Sequence, residues 1–185
     1  MSYEPVAYWR ERGKTYEQVF RRTPAFEAQE AAFAEFVSHL DYASVLDVGC
    51  GFGRMGPILV AGRVNVEYVG IDVSADMLRG ARRLVPDGDF VRSPLEDFDP
   101  AGRKWDLVLA SEFLMHIPLA GVAAAIAKLR SMTGRHLITI DWTEPLAAGR
   151  RILPHNVIHD YGTLFGDALV RSRQVGLQTM FRVRP

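Results

Sequence analysis

The sequence predicts an α/β fold of three layers, in which helices cover a mostly parallel sheet of seven strands. Three observations predict it. From residue 41 onward, short apolar runs alternate with helical segments, which is the pattern of strand-helix-strand units and a parallel sheet. Two helical stretches precede this part of the chain. Two short apolar runs around Gly176 end it as a hairpin, so that one strand of the sheet runs antiparallel.

The length and composition indicate one domain. A chain of 185 residues, 48% hydrophobic and 24% charged, is long enough to bury a core and has the size of an ordinary domain. We predict a single domain over residues 1–185, with N-terminal helices over 1–40 and the core over 41–185. Lysine plus arginine number 22 and aspartate plus glutamate also number 22, so no overall basic charge favours a nucleic-acid partner.

Cys50 is the only cysteine. It cannot form an internal disulfide, and it has no cysteine or histidine partner at the spacing of a zinc site. The N-terminus lacks the apolar core of a signal peptide, and no window approaches about eighteen uninterrupted apolar residues. We therefore expect a cytoplasmic protein without a membrane span.

The first forty residues are predicted to form two helices, over residues 5–20 and 25–40. In the second helix Phe33, Phe36, Val37 and Leu40 recur at helical spacing, so this helix should pack on the sheet.

The remaining elements follow in alternation. We predict strands over residues 44–48, 67–71, 90–91, 105–110, 136–140, 170–175 and 179–183. We predict helices over residues 58–61, 77–84, 119–132 and 161–169. Ser74 or Asp76 can cap the second of these helices.

A glycine-rich turn follows the first strand and opens a helix. Such a turn presents backbone N–H groups and the positive end of a helix to a ligand. The run from Gly51 to Gly56 matches the dinucleotide pattern G-x-G-x-x-G, and Asp72 follows at the distance expected of a ribose-binding acid. An oxidoreductase that uses NAD or FAD is therefore one interpretation.

Asp47 favours a different cofactor. In a dinucleotide site its carboxylate would stand beside the pyrophosphate, and two anions in one cleft repel each other. S-adenosylmethionine has no phosphate and carries an ammonium and a sulfonium, both of which a carboxylate attracts. The charge of the turn thus favours the methyl donor.

Four segments resemble motifs of the class I S-adenosylmethionine-dependent methyltransferases, in particular the small bacterial enzymes. VLDVGCGFG at 45–53 is similar to their first motif and GIDVSADML at 70–78 to their second. WDLVLAS at 105–111, with LMHIP at 114–118 after it, is also similar. The resemblance runs from about Trp9 to the C-terminus and implies a Rossmann-like fold with S-adenosylmethionine as the cofactor.

The resemblance also implies residue roles. Gly49, Gly51 and Gly53 let the backbone approach the methionine part, Asp47 orients its amino group, and Asp72 binds both ribose hydroxyls. The complete set of cofactor-binding residues that we expect is Asp47, Gly49, Cys50, Gly51, Gly53, Asp72, Val73, Leu95, Glu96, Ser111 and Trp9.

The third strand departs from the family pattern. The family commonly places an acid there that accepts from the adenine amino group, whereas this chain has Ser93, Pro94, Leu95 and Glu96. Pro94 has no backbone N–H, so adenine recognition is expected to shift to the Leu95 N–H and to Ser93 or Glu96.

The methyl acceptor should meet residues just after the fourth and fifth strands, because ligands of open parallel sheets bind at the carboxyl ends of the strands. For a hydroxyl acceptor, His116, His159, Glu112 and Asp160 are the candidate catalytic bases. Structural alternatives remain, since His116 can belong to a helix turn and Asp160 can cap the last helix. Trp142 is expected to line the acceptor pocket.

A magnesium site is a further alternative, built from Asp141, Glu144, His155, His159 and Asp160. The spacing of these residues is irregular, so we predict no metal site.

The N-terminal aromatic residues Tyr8, Trp9 and Tyr16 can form a lid over the cofactor or pack in the core. The short chain leaves little room for an inserted substrate domain, which favours a small-molecule acceptor such as a hydroxyl of a sugar or natural product. A non-catalytic module that binds S-adenosylmethionine remains an alternative.

Overall fold

The computed structural model describes residues 3–20, 23–143 and 155–185. The strands are β1 Ser44–Val48, β2 Glu67–Asp72, β3 Asp89–Arg92, β4 Trp105–Ser111, β5 Thr133–Trp142, β6 Leu169–Val175 and β7 Gln178–Val183. The α-helices are α1 Pro5–Val19, α2 Pro24–Ser38, α3 Gly56–Val60, α4 Ala75–Leu84, α5 Val122–Ser131 and α6 Tyr161–Phe165. Short 3₁₀ turns span Leu114–His116 and Gly166–Ala168.

The seven strands form one mixed sheet in the order β3-β2-β1-β4-β5-β7-β6. Strands β1 to β5 pair in parallel, because a helical or looped crossover joins each to the next. Strand β7 lies between β5 and β6 and is antiparallel to both. The predicted fold class is confirmed, including the single antiparallel strand.

The two faces of the sheet are covered by different helices. Leu46 and Val48 of β1 belong to one apolar cluster, with residues of α5 and α6, whereas Val45 belongs to the other, with α2 and α3. This alternation follows from the two-residue repeat of a strand and makes three layers. On α2, the predicted face with Phe33 and Phe36 is buried against the sheet.

Several element ends differ from the predicted ones. Strand β5 is longer than predicted, because it pairs with β4 on one side and β7 on the other. Helix α5 begins only at Val122, after Pro118 and Gly121. Helix α6 stops at Phe165, because Gly166 adopts a positive φ of 46°.

Helix α1 packs on α4 through small residues. Gly13 faces the N-cap of α4, Ser74, so closely that a Cβ at position 13 would overlap the serine side chain. Ser74 in turn accepts a hydrogen bond from Met77 N (3.3 Å), which confirms Ser74 as the cap. At the far end, the Arg83 guanidinium pairs with the Glu17 carboxylate at 2.6 Å. Helix α1 therefore lies over the carboxyl end of β2.

None of the helices in the described parts of the chain has the length and apolar character needed to cross a bilayer.

Candidate functional site

A cavity of about 630 Å³ lies at the carboxyl ends of β1, β2 and β4, beneath α1. Its size is that of a small-molecule site. The predicted cofactor residues that line it are Asp47, Gly49, Cys50, Gly51, Asp72, Val73, Leu95, Glu96, Ser111 and Trp9. These residues therefore line one cavity; the strand-turn-helix pattern pointed to those of the glycine turn and to Asp72, and the family resemblance to Leu95, Glu96 and Ser111.

The glycine turn after β1 forms the floor of the cavity. Gly49 and Gly51 have positive φ values of 66° and 56°, which glycine adopts without strain. A Cβ on Gly49 would overlap the Phe113 ring, so the turn and the loop after β4 touch only because this residue has no side chain. Gly51 N donates to Asp72 Oδ2 at 3.0 Å, which ties the turn to the end of β2.

Gly53 packs the turn against α4. A Cβ at this position would lie 2.8 Å from Ala81 Cα, and its φ is 86°. Gly53 is therefore required for close packing of the turn on α4. It does not line the cavity, and its expected approach to the cofactor stays a prediction.

Asp47 is buried at the end of β1 and lines the cavity. Its Oδ2 accepts a hydrogen bond from the Tyr68 hydroxyl at 2.6 Å. Burial raises the pKa of Asp47 to about 7, the Tyr68 hydrogen bond opposes this rise, and the nearby Asp72 adds to it. A cation bound between Asp47 and Asp72 would offset both the burial of the Asp47 charge and the repulsion from Asp72.

Asp72 ends β2 and accepts two backbone hydrogen bonds. Its Oδ1 accepts from Ser74 N at 2.8 Å and its Oδ2 from Gly51 N at 3.0 Å. Burial raises the pKa of Asp72, and these backbone hydrogen bonds oppose the rise. Each oxygen keeps a lone pair, so the carboxylate can still accept from a vicinal diol.

The segment after β3 closes the other end of the cavity. Ser93, Pro94, Leu95 and Glu96 all line it. The Ser93 hydroxyl donates to Pro94 O at 2.9 Å, and Lys128 Nζ donates to Glu96 O at 2.7 Å. Leu95 is buried. The position of this segment fits the expected adenine end.

The lining side chain of Ser111 carries an unused hydrogen-bonding atom. Within the described chain, Ser111 Oγ is buried and has no hydrogen-bond partner, whereas the Trp9 indole lies close enough to the Tyr3 hydroxyl to oppose, by a hydrogen bond, the rise that burial causes in the pKa of Tyr3. Buried polar groups are almost always paired in folded proteins, so Ser111 Oγ fits a polar ligand in the cavity. Together with the facing carboxylates, it makes the residues present compatible with a zwitterionic cofactor that carries a ribose.

Glu112 lines the cavity but is already engaged. Its Oε1 accepts from Arg54 Nη2 at 2.8 Å and from Gln29 Nε2 at 3.2 Å. Its backbone has a φ of 52°, which is uncommon for a residue with a side chain. Arg54 also lies 3.5 Å from Glu30 Oε1. Sequence reasoning missed Arg54 and Gln29, although the position of Arg54 directly after the glycine turn was a signal.

His116 lines the cavity in a defined tautomer. Its Nδ1 lies 2.9 Å from His155 O, and because a carbonyl only accepts, Nδ1 carries the proton and Nε2 keeps its lone pair. Burial lowers the pKa of His116 to about 4. The ring meets Trp9 edge-on, with centroids 4.7 Å apart.

The other two candidate bases lie elsewhere. His159 is buried and donates from Nε2 to Leu114 O at 2.9 Å, behind the loop after β4. Asp160 caps α6, with Oδ1 accepting from Thr163 N at 3.0 Å. Neither lines the cavity, and Trp142 does not line it either. His159 and Asp160 lie away from the cavity because residues 155–161 are bonded to the loop after β4, with Val157 N donating to Met115 O at 2.8 Å and His159 Nε2 to Leu114 O. Trp142 ends β5, apart from this segment, and its place at the acceptor pocket stays a prediction.

The members of the alternative magnesium set do not converge. Asp141 is buried and accepts from Met115 N at 3.1 Å, while Asp160 is an exposed cap. Glu144 lies outside the described residues. Among residues 3–20, 23–143 and 155–185, no group of three or more acidic, histidine or cysteine side chains is arranged to hold a metal ion.

Known proteins resemble this chain over its central part. Residues 45–135 match a family model described as a methyltransferase domain. Trans-aconitate 2-methyltransferase of Azoarcus sp. (strain BH72) is 36% identical over 78 residues, which are 42% of this chain and 30% of that protein. The protein of the same name from Afipia carboxidovorans is 32% identical over 83 residues, 44% of this chain and 32% of that protein. The matches span about a third of the length of these relatives.

Several solved structures match nearly the whole chain. Magnesium protoporphyrin IX methyltransferase from Synechocystis PCC 6803 with bound SAH has a TM-score of 0.75 at 18% identity, covering 97% of this chain and 98% of that one. The DhpI-SAM-HEP complex has a TM-score of 0.75 at 22% identity, covering 97% and 95%. At these identities the likeness shows the fold.

Proposed function

We propose that this chain, whose residues 45–135 match a methyltransferase domain, is a class I S-adenosylmethionine-dependent methyltransferase that transfers a methyl group from S-adenosylmethionine to a small molecule. The acceptor atom that we propose is the hydroxyl oxygen of a sugar or natural product.

The observation that carries the proposal is the pair of carboxylates at the glycine turn. Asp47 and Asp72 both line the cavity, and each raises the electrostatic cost of placing a phosphate there. A cofactor with an ammonium and a sulfonium is attracted by the same pair. This charge argues against NAD and FAD, although the G-x-G-x-x-G spacing alone permits them.

The residues present fit S-adenosylmethionine along the length of the cavity. Asp47 and the Gly49–Gly51 backbone would hold the methionine part, Asp72 the ribose and the Leu95–Glu96 segment the adenine. When bound, the cofactor supplies a methyl group on a cationic sulfur for in-line displacement. Helix α1, with Trp9 over the cavity, would exclude water from the reacting atoms.

His116 is the base that we propose for a hydroxyl acceptor. Its Nε2 has a free lone pair, and the hydrogen bond to His155 O holds the ring in that tautomer. Burial lowers the pKa of His116 to about 4, so the ring is neutral at neutral pH and its Nε2 is unprotonated. The same burial makes His116 a weaker base than an exposed histidine, so its role depends on its position beside the acceptor hydroxyl. Glu112 is a poorer candidate, since its carboxylate is paired with Arg54.

Three titrations test the cofactor. We expect calorimetry to detect binding of S-adenosylmethionine and of S-adenosylhomocysteine, and no binding of NADH. Transfer of a labelled methyl group to hydroxylated metabolites then tests the activity. Tight binding of the cofactor without transfer to any acceptor would favour a non-catalytic binding module, and binding of NADH alone would refute the proposal.

A further inference from the structure

We propose that Glu112 determines acceptor specificity: by neutralising Arg54, it makes the acceptor side of the cavity favour an uncharged aromatic hydroxyl compound over a carboxylate. The proposal rests on the methyltransferase function above and narrows its acceptor from a sugar or natural-product hydroxyl to an aromatic one. Three observations support the proposal: the aromatic residues that line the cavity, the charged residues that line it and the backbone conformation of Glu112.

Aromatic side chains surround the part of the cavity away from the adenine end. They are Trp9, Tyr16, Phe20, Phe26, Phe52 and Phe113. Phe20 lies with its ring centroid 4.9 Å from that of Phe26 and 5.1 Å from that of Phe52. Flat apolar rings bind a planar aromatic ligand by stacking and edge contacts, whereas they offer a sugar few hydrogen bonds.

The charges that line the cavity do not suit an anionic acceptor. Among the described residues, the lysine and arginine side chains lining it are Arg54 and Lys128, and Lys128 donates to Glu96 O at the adenine end. Arg54 is nearer the aromatic rings, with its guanidinium 4.9 Å from the centroid of Phe26. Arg54 is therefore the cation that an acceptor carboxylate would have to use.

Arg54 is already paired with carboxylates of the protein itself. Arg54 lies 2.8 Å from Glu112 Oε1 and 3.5 Å from Glu30 Oε1, and the Arg54 and Glu112 side chains are only 15% and 22% exposed. An incoming carboxylate would meet two carboxylates around one guanidinium and would lose its hydration without gaining an ion pair. A neutral ring loses little hydration and can pack beside the ion pair.

The backbone conformation of Glu112 indicates that the fold holds its side chain in position for the ion pair with Arg54. The Glu112 φ of 52° is a left-handed conformation, which is strained for a residue with a side chain. The Glu112 N–H donates to Ile140 O at 2.6 Å, and Gln29 donates to the carboxylate at 3.2 Å. Strain of this kind persists where surrounding contacts enforce it, and it occurs often at ligand sites.

A matched pair of ligands tests the proposal. S-adenosylhomocysteine is titrated first, and 2-naphthol, 2-naphthoate and trans-aconitate are then titrated into its complex. We expect the wild-type chain to bind 2-naphthol at least about tenfold more tightly than either carboxylate, because like charges across an interface are strongly disfavoured. Labelled methyl transfer should follow the same order.

Three variants test whether the carboxylates around Arg54 cause the preference for an uncharged acceptor. Glu112→Gln should tighten 2-naphthoate binding by about tenfold, because Arg54 loses one carboxylate partner. Glu30→Gln, on α2 and outside the strained loop, should shift the preference in the same direction and covers the case in which the first variant folds poorly. Glu35→Gln is the control, since Glu35 lies on the same helix but pairs with Arg173 on the surface.

The outcomes separate the two proposals. Failure to bind S-adenosylhomocysteine would overturn the proposed function and the specificity with it. Normal binding of S-adenosylhomocysteine, with a carboxylate bound as tightly as 2-naphthol or with 2-naphthol not bound at all, would overturn the specificity alone. An unchanged preference in both Glu112→Gln and Glu30→Gln would also overturn it.

Discussion

The raised pKa of Asp47 predicts that one substitution will stabilise the ligand-free protein and at the same time weaken cofactor binding. Asp47→Asn replaces a buried carboxylate by an amide of the same shape, and the amide oxygen can still accept from the Tyr68 hydroxyl. The variant therefore removes the charge at the end of β1 and leaves the packing in place. We expect it to stabilise the ligand-free chain above neutral pH and to weaken cofactor binding.

The magnitude follows from the difference between the pKa of Asp47 in the folded and in the unfolded chain. Burial raises this pKa from 3.8 to about 7, so the folded protein keeps a proton that the unfolded chain releases. The stability that this proton contributes is fully present below pH 3.8 and is lost as the pH rises to about 7. A tenfold change in an acid dissociation constant corresponds to about 1.36 kcal/mol, so the loss approaches about 4 kcal/mol.

Urea unfolding, followed by tryptophan fluorescence between about pH 4.5 and pH 8, measures this difference. The free energy of unfolding of Asp47→Asn should exceed that of the wild type by an amount that grows with pH and levels off above the pKa of Asp47, about 7. Asp41→Asn is the control, because the Asp41 side chain is 88% exposed. It should change stability by less than about 1 kcal/mol at every pH.

A difference that does not vary with pH would refute this reasoning, and so would an Asp47→Asn variant less stable than the wild type at pH 8. Cofactor binding gives an independent check. Because the ionised carboxylate is the form that attracts the ammonium, wild-type affinity should rise up to about tenfold per pH unit below the pKa of Asp47 of about 7. The affinity of the variant should lack this dependence.

Four further substitutions have distinct expected results. His116→Gln should lower kcat by about 10²-fold or more while calorimetry finds cofactor affinity unchanged, and an unchanged kcat would remove His116 as the base. His159→Asn should lower the thermal midpoint, because Leu114 O loses a buried hydrogen bond, without a selective change in kcat of the folded fraction. Asp72→Asn should weaken cofactor binding by about tenfold in the same titration, because its amide accepts less strongly from ribose hydroxyls and its NH2 group cannot accept from Gly51 N or Ser74 N, and wild-type affinity would contradict that role. Gly13→Val should displace α1 from Ser74, expose α1 to limited proteolysis and raise the cofactor Kd, and a protected α1 would argue against this packing.

The sequence predicted the parts of the site that local pattern determines. A strand that ends in an acid, a glycine turn and a second acid-tipped strand is recognisable from spacing alone, and Asp47 and Asp72 do line one cavity. The N-cap at Ser74 was equally local.

The sequence could not predict contacts made across the fold. Tyr68 reaches Asp47 from the neighbouring strand, and the partners of Glu112 come from α2 and from the glycine turn. His159 looked like an active-site residue because it follows β5, but its position depends on how residues 155–161 pack behind the loop after β4. Such packing is decided by tertiary contacts that no local spacing encodes.

The contact between Gly13 and Ser74 has a kinetic consequence. The amide of Ser74 donates to the carboxylate of Asp72, so the N-terminal helix packs on the residue that orients the carboxylate expected to hold the ribose. The same helix supplies Trp9 and Tyr16 to the aromatic side of the cavity. Binding of the cofactor should therefore complete the surface on which the acceptor binds, and we expect a compulsory order of addition, with the methyl donor first and its demethylated product released last.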